Sequence, residues 1–217
     1  MKSSGSREVK RGENVLDVYF EKHVDHSKVI KDRCLYINQP ERINFIYSID
    51  GIPEDETRSY QEASNRALKL FLMRLNRFPL FVTFGGDLIN EKIEPFFQKE
   101  SLLYKKIQPD KSSPYYSLQV NNTSELERLL DETYGYAAEN NFYFLSFTNL
   151  LTFERRIIKG WFFKKERTVP VIHATKEMSF ITMEHDFMGY YLFSNEACFD
   201  SEDKVKAFLP KGEGIEY

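Results

Sequence analysis

A chain of 217 residues with 41% apolar and 29% charged side chains has enough material for a buried core, and its net charge of −3 is too small for a disordered polyelectrolyte. The same charge argues against a dedicated DNA-binding domain, which carries a strong basic excess. Its 19 Phe and 13 Tyr, against 8 Pro and 10 Gly, favour pleated, half-buried surfaces and therefore sheet. No apolar run approaches the ~20 residues that span a bilayer, so no membrane insertion is expected. The start of the chain is polar, with no apolar stretch of an export signal, and the expected address is cytoplasmic.

Residues 1 to 13 are small, charged and aperiodic and read as a flexible tail ahead of a single domain over 14–217. Val15 to Val24 suits a short helix or a strand equally well. Cys34–Ile37 and Ile43–Ile49 are apolar runs separated by Asn38–Arg42, the pattern of an antiparallel hairpin whose second strand stops at Asp50-Gly51. The clearest helix follows. Ser59 and Glu62 form a capping-box pair ahead of apolar residues at helical spacing, and Pro79 bars continuation.

Leu80–Phe84 reads as a strand stopped by Gly85-Gly86, and Ile89–Lys99 as a weaker helix interrupted by Pro95. Tyr115–Val120 alternates as a strand, Asn121–Ser124 caps a helix from Glu125 to about Asn140, and Phe142–Phe147 is the next strand. That unit reads as one crossover. Ser179–Met183 and Tyr190–Phe193 flank a hairpin loop, and a short helix covers Ser201–Phe208. Strands outnumber helices and several adjoin through short turns. The expected fold is α+β, a mixed, largely antiparallel sheet with three to four helices packed on it.

Catalytic and metal signatures are weak. His23 and His26 are three apart beside Asp25, but HxxH alone lacks the fuller spacing of a zinc site, even with His173, His185 or Asp186 as distant partners. His185-Asp186 falls in a hairpin loop and reads as turn chemistry. Gly85-Gly86-Asp87 lacks the lysine and hydroxyl of a phosphate loop, and Asp87 would itself occupy the helix start. Cys34 sits in an apolar run as a core thiol, which leaves Cys198 as the better candidate for reactivity. No catalytic residue, metal or cofactor is expected, and a binding module fits better than an enzyme.

Two charged segments carry the functional expectation. From Glu184 to Asp203 there are six carboxylates (Glu184, Asp186, Glu196, Asp200, Glu202 and Asp203) and no Lys or Arg. Such a field can steer a basic protein, so the leading expectation is a non-enzymatic interaction module, such as an immunity or antitoxin-like inhibitor that occludes a basic toxin. From Phe153 to Arg167, Arg155, Arg156, Lys159, Lys164, Lys165 and Arg167 are interleaved with Phe153, Trp161, Phe162 and Phe163. Cations that pair phosphates and aromatics that stack on bases suit single-stranded nucleic acid, the alternative expectation. A membrane surface would need the same ingredients. An ordinary exposed strand pair with basic side chains on its solvent face has the same pattern.

Overall fold

Phe45, Ile46 and Tyr47 are consecutive large apolar residues on strand β3 (Phe45–Ile52), and its two faces enter two separate cores. Tyr47 and Ile49 pack into the larger one and Ile46 into the smaller. The computed structural model describes residues 17–33, 35–53, 59–85, 92–108, 114–138, 142–159, 164–184 and 189–210. Among them, eight strands form one sheet in the order β1 (Asp17–His23), β3, β11 (Gly189–Ser194), β10 (Ser179–Met183), β7 (Phe142–Ser146), β4 (Leu80–Gly85), β6 (Tyr115–Val120) and β5 (Tyr104–Ile107). Every neighbouring pair in it is antiparallel. A smaller sheet places β2 (Ile37–Asn38) parallel to β9 (Lys164–His173), and β9 antiparallel to β8 (Leu151–Lys159).

Two sixteen-residue helices, α2 (Tyr60–Leu75) and α4 (Thr123–Ala138), cover one face of the large sheet. Ser59 begins α2 as expected. Its hydroxyl accepts from the Glu62 amide at 3.2 Å, while the Glu62 carboxylate accepts from the Ser59 amide at 3.3 Å. The helix ends on Asn76 in the left-handed conformation, three residues before Pro79. Ala63, Ala67, Leu68, Phe71 and Leu72 recur at helical spacing and are buried. Each fully buried Leu or Phe contributes roughly 2 kcal/mol. On the opposite face, the small sheet and α1 (His26–Asp32) close the second core, built around Ile43, Phe144, Phe180 and Phe193. The class is α+β, with strands dominant over the helices α1, α2, α3 (Ile93–Lys99), α4 and α5 (Glu202–Lys206).

The structure corrects two local expectations and refines a third. Residues 35–37 and 43–49 do not form a hairpin, because β2 joins the small sheet while β3 pairs with β1 and β11; Cys34 lies outside the described residues. A 3-10 turn at Pro40–Arg42 redirects the chain between the two layers. Asp50-Gly51 does not stop β3, which runs on to Ile52. Gly51 instead brings the backbone of α2 against the strand, and its amide donates to the Ser64 hydroxyl at 3.2 Å. The Tyr115–Phe147 unit is a crossover with a strand inside it: β6 and β7 run parallel, and β4 lies between them. The segment left open at Val15–Val24 is strand over Asp17–His23. β5 had no sequence signal of its own, since two of its four residues are exposed lysines.

Candidate functional site

Leu151 of β8 and Ile172 of β9 pair with each other and anchor the base of a two-stranded ribbon in the second core. Phe153 packs edge-on to Tyr115 of the large sheet at 5.0 Å between ring centroids. Beyond Phe153 the exposure rises. Arg155, Glu166 and Arg167 are exposed, and Ile157 is 66% exposed. From Phe153 to Lys159 the ribbon extends about 20 Å at the ordinary strand rise.

Its register is the informative feature. Arg156 stands directly opposite Arg167, and Lys159 opposite Lys164, while Lys165 faces Ile158. Between residues 154 and 167 six cations meet only two carboxylates, Glu154 and Glu166. Like charges directly opposite each other on neighbouring strands are destabilising, by a few tenths to about 1 kcal/mol per pair. Trp161, Phe162 and Phe163 lie outside the described residues, as do the side chains of Lys159, Lys164 and Lys165.

A polar network covers the base of the ribbon. The Arg156 guanidinium donates to Asn38 Oδ1 at 2.9 Å and to Glu154 at 3.1 Å, and it lies 5.5 Å from the centroid of the Tyr36 ring. That hydrogen bond from Arg156 holds the Glu154 carboxyl below the usual carboxylate range. His173 Nε2 lies 2.7 Å from the Thr152 hydroxyl and 3.3 Å from Glu154, and its Nδ1 lies 3.3 Å from Asn38. These groups stiffen the point where the ribbon leaves the core.

The acidic segment has a different fate. Glu184 follows β10 and its amide bonds to the Gly189 carbonyl at the start of β11, whereas Glu196 to Asp203 follow the far end of that strand. Six strand residues put about 20 Å between the two groups. At the far end, Glu196 is ion-paired with Arg77, Asp200 with Lys204 at 2.8 Å, and Glu202 with Lys206 at 3.2 Å. Asp203 is exposed in the first turn of α5. Asp186 and His185 lie outside the described residues.

At the near end Glu184 has company that sequence spacing did not reveal. The Tyr191 hydroxyl donates to it at 2.9 Å, and its carboxylate shares a hydrogen bond with Asp50 on β3. Burial, the charge and hydrogen bond of Glu184, and the charge of Glu21 push the Asp50 carboxyl up to about 7. The register explains the meeting, because Asp50 lies opposite both Gly189 on β11 and Tyr19 on β1. A Cβ on Gly189 would fall 2.2 Å from Asp50 Oδ1, so the missing side chain makes room for the carboxyl.

The three described histidines each have a partner of their own. His23 ends β1 beside Glu21, His26 Nδ1 lies 3.2 Å from the Ile43 carbonyl, and His173 belongs to the ribbon network. Among the described residues no group of three or more His, Cys, Asp or Glu side chains could hold a metal. The Cys198 thiol is exposed, but partial burial and the adjacent Glu196 carboxylate push it up, which lowers its thiolate fraction and removes the ground for special reactivity. No helix among the described residues is long and apolar enough to cross a membrane. No family model matches the chain, and no curated protein or solved structure does.

Proposed function

We propose that this protein is a non-enzymatic binding module whose β8–β9 ribbon engages a polyanion, with single-stranded nucleic acid as the ligand that its cations and aromatics fit best. The supporting observation is the register. Arg156, already paired with Glu154, opposes Arg167, and Lys159 opposes Lys164, a register that gathers six cations against two carboxylates and that a negatively charged partner would relieve. A ribbon stiffened at its base by the Asn38, Glu154, Arg156 and His173 network presents those charges with little ordering left to do on binding.

A basic protein partner on residues 184–203 has less support. Three of the six carboxylates are neutralised within the chain, and of the others Glu184 and Asp203 stand at opposite ends of β11 while Asp186 lies outside the described residues.

The test is a salt titration of labelled single-stranded RNA or DNA followed by fluorescence anisotropy. Contact with about five phosphates gives a log–log slope near −3.5. Changing Arg155, Arg156, Lys164 and Lys165 to Ala together is expected to weaken binding roughly a hundredfold at low salt and to flatten the slope. Absence of binding at low salt, or an unchanged affinity in a variant whose unfolding transition stays cooperative, rejects the proposal.

A further inference from the structure

Basic side chains continue past the point where the ribbon meets the core. Arg156, Arg167 and His173 share one face of the small sheet by strand alternation, and each is exposed or half-exposed. Ile172 and Ala174 belong to the other face and enter the second core. From His173 the chain runs through Ala174 to a surface dent of about 390 Å³. Arg42, Asn44, Thr175, Lys176 and Asn195 line it, with no carboxylate among the described residues of its wall. Glu41 and Glu177 are exposed and stand outside that wall. Among the described residues neither Arg42 nor Lys176 has a carboxylate partner, in contrast to Arg156, which Glu154 engages. One side chain frames the dent. Asn195 Nδ2 donates to the Arg42 carbonyl at 3.1 Å and to the Thr175 carbonyl at 2.9 Å, and its Oδ1 accepts from the Met178 amide at 2.8 Å. Arg42 Nη1 donates to the Ala174 carbonyl at 3.1 Å, which fixes the guanidinium at the end of β9.

We infer that the Arg42–Lys176 dent is a second phosphate-binding subsite for the single-stranded nucleic acid proposed for the ribbon, an inference that rests on that reading. A planar guanidinium, a compact ammonium and the Asn44 amide are donors that match phosphate oxygens. The backbone ties made by Asn195 leave little ordering to do on binding. Four of the five lining residues are exposed, which suits a polymer lying across the surface better than an enclosed small molecule. The strand rise puts Ala174 about 23 Å from Arg167. At ~3.4 Å per stacked nucleotide, about seven nucleotides bridge that distance. A ligand that covers the ribbon alone therefore stops short of the dent, and a longer one gains two further cations.

Fluorescence anisotropy at low salt with oligouridylates of four and sixteen nucleotides tests this on the full chain. Arg42→Ala combined with Lys176→Ala is expected to weaken the longer ligand about tenfold and to reduce its log–log salt slope by about 1.4, with the shorter ligand unaffected. Lys176 makes no hydrogen bond or ion pair among the described residues, so Lys176→Glu should also weaken the longer ligand while keeping the parental unfolding midpoint. Affinity and slope unchanged in both variants, while the fourfold ribbon variant still loses binding, would overturn the subsite and leave the ribbon reading standing. Equal weakening of the two ligands is a general effect of charge and would overturn it as well. No binding of the longer ligand by the parent protein overturns both readings.

Discussion

Replacing Gly51 with alanine is expected to lower the unfolding free energy by about 3 kcal/mol or more, because the new methyl meets backbone and has nothing flexible to displace. A Cβ at this position falls 2.3 Å from the Ala63 carbonyl carbon and 2.4 Å from the Ser64 amide nitrogen. Relief requires α2 to lift from β3, and Ala67, Leu68 and Phe71 would lift with it. The hydrogen bond from the Gly51 amide to Ser64 would break in the same movement. Gly135→Ala on α4 is the internal control. There a Cβ meets only the end of the Gln61 side chain at 3.3 Å, and helix propensity favours alanine over glycine by about 0.5–1 kcal/mol. Urea unfolding of both variants is the check. A Gly51→Ala protein within about 0.5 kcal/mol of the parent would show that α2 does not pack against β3 as described.

Asp50→Asn is expected to stabilise the protein at pH 8 and to stabilise it by roughly a third as much at pH 5. The Asp50 carboxyl, pushed up to about 7 by burial and by Glu184, keeps a proton that the unfolded chain releases near its ordinary value of 3.8. Between those two values the native state binds more protons than the unfolded state, so stability falls as pH rises and levels off above about 7. The amide variant has no charge to bury and lacks that slope. The gain at pH 8 is about 2 kcal/mol once the partial exposure of the side chain is allowed for. Urea midpoints at pH 5, 6, 7 and 8 decide it. Parental stability that rises across this range, with Asp50→Asn running parallel, contradicts the carboxyl pair.

How much of this was legible in the chain depends on whether the signal is local. Ser59 with Glu62, the apolar spacing along α2, the alternation of Tyr115–Val120 and the paired runs at 179–193 each specify their own element, and each appears where its pattern placed it. Two features needed long-range pairing to become visible. Asp50-Gly51 has the composition of a turn, yet β1 and β11 hold it in mid-strand, where the absent side chain serves helix packing. β2 has only two paired residues, too few for periodicity to say which sheet it joins.

The candidate sites divide the same way. The basic stretch is contiguous in sequence and remains contiguous in space because a hairpin keeps its neighbours together, and only the register revealed that cations face cations. The acidic stretch is also contiguous in sequence, but the length of β11 separates its halves. Glu184 finds its partner in Asp50, more than a hundred residues earlier. The dent at Arg42 depends on Asn195 tying distant segments together, and no spacing between Arg42, Lys176 and Asn195 announces it.

The central claim is that the ribbon keeps its opposed cations at a cost to stability for the sake of an anionic partner. The double variant Lys164→Glu and Arg167→Glu addresses both halves of that claim, since it converts the two like-charge pairs with Lys159 and Arg156 into opposite-charge pairs. Its unfolding free energy and its affinity for single-stranded RNA at low salt should be measured on the same preparation. The expected result is a gain in stability of roughly 1 kcal/mol together with a loss of affinity of about a hundredfold. Undiminished affinity, or a fall in stability and affinity together, would contradict the claim.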